Sequence, residues 1–144
     1  MTCLTKILDA KYPQFNTTTP EHLLTDALYQ MCCENVEYLI VLEADQFIGL
    51  LSEHDITQKI LTADKPLNRL RVGDLMNRNL PVASATDSID YTMQLLDRYN
   101  TRYLAIYDGL EFKGVVSETD LLKSAIDQFQ LITVAEERAY PWNY

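Results

Sequence analysis

The chain is poor in glycine and proline, with four and five residues among 144, and it has no low-complexity tract. Disorder is thereby excluded, because 47% hydrophobic content over that length suffices for a packed core. Long apolar runs are missing too: stretches such as 38–42 or 47–51 fall far short of a bilayer span, so no membrane partner is expected. The opening residues, MTCLTKILDAKY, hold neither an extended apolar core nor a small-residue cleavage site, and the expected location is the cytoplasm. Metal-binding side chains are scarce. Two histidines, His22 and His54, and three cysteines without Cys-x-x-Cys spacing leave a zinc site almost nothing to draw on. The odd cysteine count also argues against a disulfide framework; Cys32 and Cys33 are expected as core filler and Cys3 as a terminal thiol.

Positive charge is in deficit as well. Twelve basic residues against twenty-one acidic give a net charge of -9, which repels phosphate backbones and makes nucleic acid an unexpected partner. An anionic small ligand would need a local positive spot. Glycine-rich phosphate loops of the GxxxxGK or GxGxxG type are absent, so any phosphate must be met by isolated cations.

What is present is an internal repeat. NVEYLIVLEADQFIGLLSEHDITQKIL (35–61) lies over NTRYLAIYDGLEFKGVVSETDLLKSAI (100–126) without a gap, pairing Asn35, Tyr38, Leu39, Phe47, Gly49, Ser52, Glu53 and Asp55 with identical residues. Upstream, the same register sets Leu24, Ala27, Leu28 and Met31 opposite Ile89, Thr92, Met93 and Leu96, one stripe of an amphipathic helix in each copy. Thr19 and Pro20 read as N-cap and first helical residue of the first such helix, and Thr86 or Asp87 as cap of the second. Each helix is followed by a strand (YLIVL, YLAIY), a turn at 43–45 or 108–110, a second strand (FIGLLS, FKGVVS) and a closing helix. Each copy is therefore β-α-β-β-α. One three-stranded sheet with helices on one side leaves an apolar face, so the two copies are expected to pack together as one α/β module.

The strand-to-helix joints GLLSEHD (49–55) and GVVSETD (114–120) are the most distinctive strings. Ser-x-x-Asp at a helix start is close to a capping box, which alone explains Ser52, Asp55, Ser117 and Asp120. Ligand contact by the aspartates is the other reading. Capping does not explain Gly49 and Gly114, since glycine inside a strand marks a bulge or a close approach by ligand or backbone. Ser52, His54 and Asp55 lie within one helical turn and cannot form a hydrolase triad, so the chain is not expected to be an enzyme. His54 reads as a solvated helix-start residue or a weak phosphate contact.

The two Gly-hydrophobic-hydrophobic-Ser-x-x-Asp strings, VGDLM at 72–76 and the element order resemble the cystathionine β-synthase (CBS) domain, which occurs as tandem pairs called Bateman modules. The first copy departs from the pattern in opening on ILDAK, and neither copy has the common proline in its first long strand. The resemblance implies a disk of pseudo-twofold symmetry with two clefts that take adenosine-containing ligands. It further implies that Asp55 and Asp120 hydrogen-bond ribose hydroxyls beside Ser52 and Ser117, and that Thr18 and Thr19, or Ala83 and Ser84, border the adenine. The position of the phosphate-binding cation falls at Arg102 in copy two and at Glu37 in copy one, implying unequal clefts. An exposed arginine paired with a nearby acid is the structural alternative for Arg102.

Together these readings divide the chain into repeat 1 (1–62), a linker (63–71), repeat 2 (72–129) and a tail (130–144). The tail's LITVAEE could extend the last helix or start a strand, and its aromatic ending, ERAYPWNY, is expected to dock rather than fray. The expected function is a regulatory sensor that needs no cofactor, binds AMP, ADP, ATP, S-adenosylmethionine or NAD, forms homodimers and acts on a separate protein. A ligand-free structural or protein-interaction module is the rival expectation.

Overall fold

The computed structural model describes residues 4–11 and 14–139, with side chains described through 129. In order, the elements are α1 (Leu4–Lys11), β1 (Thr17–Thr18), α2 (Leu24–Glu34), β2 (Tyr38–Glu43), β3 (Gln46–Ser52) and α3 (Glu53–Lys59). Then come α4 (Val72–Leu75), β4 (Val82–Ser84), α5 (Ile89–Arg98), β5 (Tyr103–Asp108), β6 (Glu111–Ser117) and α6 (Glu118–Ala139). The β-α-β-β-α order is thus present twice, in two three-stranded mixed sheets, β1-β2-β3 and β4-β5-β6. In each sheet the first pair is parallel and the second antiparallel, and the hairpin turns use left-handed backbone at Ala44 and Asp45 or at Gly109. Asn35 and Asn100, identical in the repeat, both take positive φ just past α2 and α5, a conformation asparagine tolerates better than most residues. Among the described residues, no helix is long and apolar enough to cross a membrane.

The compact units are not cut where the repeats are. Residues 14–80 make one unit, and residues 4–11 with 81–139 make the other. Each unit therefore borrows its opening helix from the other copy. In the first unit, Leu70, Val72, Leu75 and Met76 join Leu24, Ala27 and Met31 of α2 against Leu39, Val41 and Leu51 of the sheet. In the second, Leu4, Ile7 and Leu8 of α1 join Ile89, Leu95 and Leu96 of α5 against Leu104, Ile106 and Val116. The segment read as a linker consequently ends in the core, at Leu70.

Several expectations need correction. Thr19 and Pro20 do not start α2; the helix begins at Leu24, capped by Leu23 without a side-chain bond. The reason is tertiary: the Leu24 amide donates to the Leu70 carbonyl, and Pro20 is held by the Gly73 amide, so the segment before α2 is spent on the borrowed opening. Ser88, not Thr86 or Asp87, caps α5, accepting from the Tyr91 amide at 3.2 Å, while Asp87 accepts from the Ser84 amide at 2.8 Å. Cys32 and Cys33 are exposed, because the buried stripe of α2 runs through Leu24, Ala27 and Met31 and passes them by. Residues 130–139 continue α6, so the tail's first part is helix. Cys3 and the aromatic residues Tyr140, Trp142 and Tyr144 lie outside the described residues.

Candidate functional site

Both joints are complete capping boxes. The Asp55 amide donates to Ser52 Oγ at 3.1 Å, while Asp55 Oδ2 accepts from the Ser52 amide at 3.3 Å and from Ser52 Oγ at 2.8 Å. In the second copy, the Asp120 amide donates to Ser117 Oγ at 3.1 Å and Asp120 Oδ2 accepts from the Ser117 amide at 2.9 Å. The residue before each first long strand is tied to the same joint by backbone: Glu53 donates to the Glu37 carbonyl at 3.0 Å, and Glu118 to the Arg102 carbonyl at 2.7 Å. Arg102 is thereby at the joint, with an exposed guanidinium that has no ion-pair partner among the described residues. His54 is exposed at the start of α3.

The glycines have structural explanations. Between Val41 and Leu42 the register slips, so that Ile48 is an extra residue beside Gly49, and the same slip beside Gly114 leaves Lys113 extra. These are β-bulges. At Gly49 a further backbone closes in: Leu50 and Asn77 exchange two hydrogen bonds, at 3.0 and 2.8 Å, and a Cβ on Gly49 would stand 2.6 Å from the Asn77 carbonyl oxygen. Gly114 has φ 148°, a conformation that side-chain-bearing residues rarely adopt.

Strand register separates the remaining candidates from the joints. Ser52 pairs with Tyr38, whereas Thr18 pairs with Val41, three residues further along β2 and thus about 10 Å away along the strand. Thr19 continues past that far end. Likewise Ser117 pairs with Tyr103, while Ala83 and Ser84 pair with Ile106 and Tyr107. Thr18 is buried and bonded to His22 Nδ1 at 2.9 Å, Ala83 is buried in the core, and the Ser84 amide is engaged by Asp87. The chain entering each parallel strand is what shares the joint's end of the sheet. The Asn16 carbonyl accepts from Ile40 and the Pro81 carbonyl from Ala105, and Asn16 Nδ2 donates to the Tyr38 carbonyl at 3.0 Å. Phe15, 77% exposed, precedes Asn16 at this end. The repeat register already pairs Asn16 with Pro81, but only the parallel pairing of β1 with β2 reveals which end they occupy.

Lys11 also escaped the sequence reading. Its Nζ donates to Asp120 Oδ2 at 2.6 Å, with the two side chains 24% and 26% exposed. Burial pushes the Asp120 carboxyl up, but the Lys11 ammonium and the Ser117 amide outweigh it and hold the group below its ordinary value of 3.8. A depressed carboxylate contributes stability that is present above its unfolded pKa and is lost as pH falls through the folded value. Acidification below about pH 4 is therefore expected to lower the urea midpoint of the wild type more steeply than that of Asp120→Asn, which starts lower and has no such charge to lose. Parallel slopes in midpoint against pH would contradict the ion pair.

Residues 72–127 match the family model of the CBS domain. A stretch of 78 residues is 30% identical to an uncharacterised protein of Methanocaldococcus jannaschii, covering 54% of this chain and 42% of that one. The chain spans about two fifths of the length of the curated relatives it matches. Among solved structures, a protein with CBS domains from Burkholderia ambifaria is similar at TM-score 0.78 and 27% identity, over 88% of this chain and 95% of that one. A CBS-domain protein from Agrobacterium tumefaciens shares the fold at TM-score 0.77 and 18% identity, over 86% of this chain and 99% of that one.

Proposed function

The chain carries a CBS domain at 72–127 and the fold of CBS-domain proteins, and from that premise we propose that it is a non-enzymatic regulatory module binding an adenosine-containing ligand at its strand-to-helix joints. The observation that carries this reading is the state of Asp55. Its cap uses Oδ2 alone, and among the described residues no donor reaches Oδ1. A carboxylate oxygen left unclaimed at a sheet end is suited to accept a hydrogen bond from a ribose hydroxyl. The exposed ring of Phe15 at that end offers a stacking surface for adenine. With few cations nearby, adenosine rather than phosphate supplies most of the affinity. Self-association would use the exposed Leu122 and Ile126 on α6, at i and i+4, and the ligand's effect would pass to a separate cytoplasmic protein.

Calorimetric titration with AMP, ADP, ATP, S-adenosylmethionine and NAD is expected to give heat with at least one. Asp55→Ala is expected to weaken that binding by about tenfold or more, as loss of a charge-assisted hydrogen bond does. Silence from all five compounds, or affinity unaltered by Asp55→Ala and by Asp120→Ala alike, would sink the assignment.

A second reading, a ligand-free interaction module, is favoured by the completeness of both capping boxes and by the backbone explanation of Gly49. It predicts that Asp55→Ala loses about 0.5–2 kcal/mol of stability as a broken cap, while none of the five compounds raises the melting temperature.

A further inference from the structure

The two joints differ in what stands beside the aspartate. Asp120 is held by Lys11 at 2.6 Å, and the lysine does not hang from a loose end. Leu4, Ile7 and Leu8 of its helix are buried in the second unit's core, and Thr5 Oγ1 donates to the Ala85 carbonyl at 3.1 Å. The gapless repeat register puts Met76 in the first unit where Lys11 stands in the second. Met76 is buried and uncharged, and among the described residues no lysine bonds Asp55. A neutral ribose hydroxyl competes poorly with an ammonium that is three-quarters buried and little screened by solvent.

We propose that Lys11 closes the Asp120 joint, so that the chain takes a single adenosine-type ligand, at the Asp55 joint. This rests on the adenosine reading above and reverses what Arg102 alone suggests: the copy that carries the arginine is the closed one. Lys11 is a specificity-determining residue that acts through Asp120, and the helix bearing it is an internal occupant of the second site.

The test is stoichiometry by calorimetry, with AMP, ADP, ATP, S-adenosylmethionine and NAD as titrants. Wild type is expected to bind one molecule per chain, with binding lost in Asp55→Ala and retained in Asp120→Ala. Lys11→Met, which installs the residue that the first unit carries at this place, is expected to bind two per chain, and Lys11→Met combined with Asp120→Ala to return to one. Lys11→Gln serves if the methionine variant does not fold. Two sites in wild type, one site that depends on Asp120, or a Lys11 variant still at one site would overturn the closure while leaving the adenosine reading standing. Absence of heat from all five titrants in both wild type and Lys11→Met would overturn the adenosine reading itself and the closure with it.

Discussion

Gly49→Val is expected to destabilise the first unit by roughly 2–6 kcal/mol, the sum of overpacking at about 1–3 kcal/mol and two lost backbone hydrogen bonds at about 0.5–1.5 kcal/mol each. The added Cβ would sit 2.6 Å from the Asn77 carbonyl oxygen, and that atom is backbone, which cannot swing aside as a side-chain tip would. Relief requires Asn77 to withdraw, which breaks its paired bonds with Leu50 and loosens the chain just beyond the buried Met76. The urea midpoint measures the effect. Gly109→Ala is the control: the turn backbone at φ 62° is strained by a side chain, but there is no atom within 4 Å to collide with, so the loss should be confined to about 1–2 kcal/mol. Equal midpoints for the two variants would mean that the close approach at Gly49 is not what selects glycine.

Leu4→Ala is the second large expected effect, about 2–5 kcal/mol, as for other fully buried leucines emptied in a core. Its location matters more than its size. Leu4 has 0% exposure and packs among residues of the second sheet and of α5 and α6, although it belongs by sequence to the first copy. Hydrogen exchange should accordingly quicken in the amides of β5 and β6 and not in those of β2 and β3. Acceleration confined to β2 and β3 would contradict the exchange of opening helices between the copies.

Much of the fold can be read from residues alone because the duplication cross-checks itself. Identical positions such as Tyr38 and Tyr103, or Ser52 and Ser117, proved to occupy matching places in two sheets of the same register. Ser-x-x-Asp signalled a capping box correctly, since capping is a contact between neighbours in sequence. What could not be read was set by distant contacts. The start of α2 was displaced to Leu24 by bonds to Leu70 and Gly73, around fifty residues away in the chain. Lys11 carries no local mark of its role, since ILDAK is a short amphipathic stretch whose ending in lysine would suit any helix C-terminus. That Thr18, Ala83 and Ser84 lie at the far end of the sheet from Ser52 and Ser117 could not be read either, because periodicity gives strands without giving their direction relative to neighbours; pairing supplies that.

The borrowed opening helices bear on the order in which the chain can mature. A ribosome delivers α1 first, yet the surface on which it rests, β6 and α6, emerges last. Its anchoring contacts, Thr5 to Ala85 and Lys11 to Asp120, span 80 and 109 residues. The first unit can close once the segment through Asn77 has been made, so the nascent chain is expected to pass through a stage in which one half is folded while α1 waits unpartnered. Severing the chain between the repeats would leave neither fragment able to finish itself: one would lack α4, the other α1.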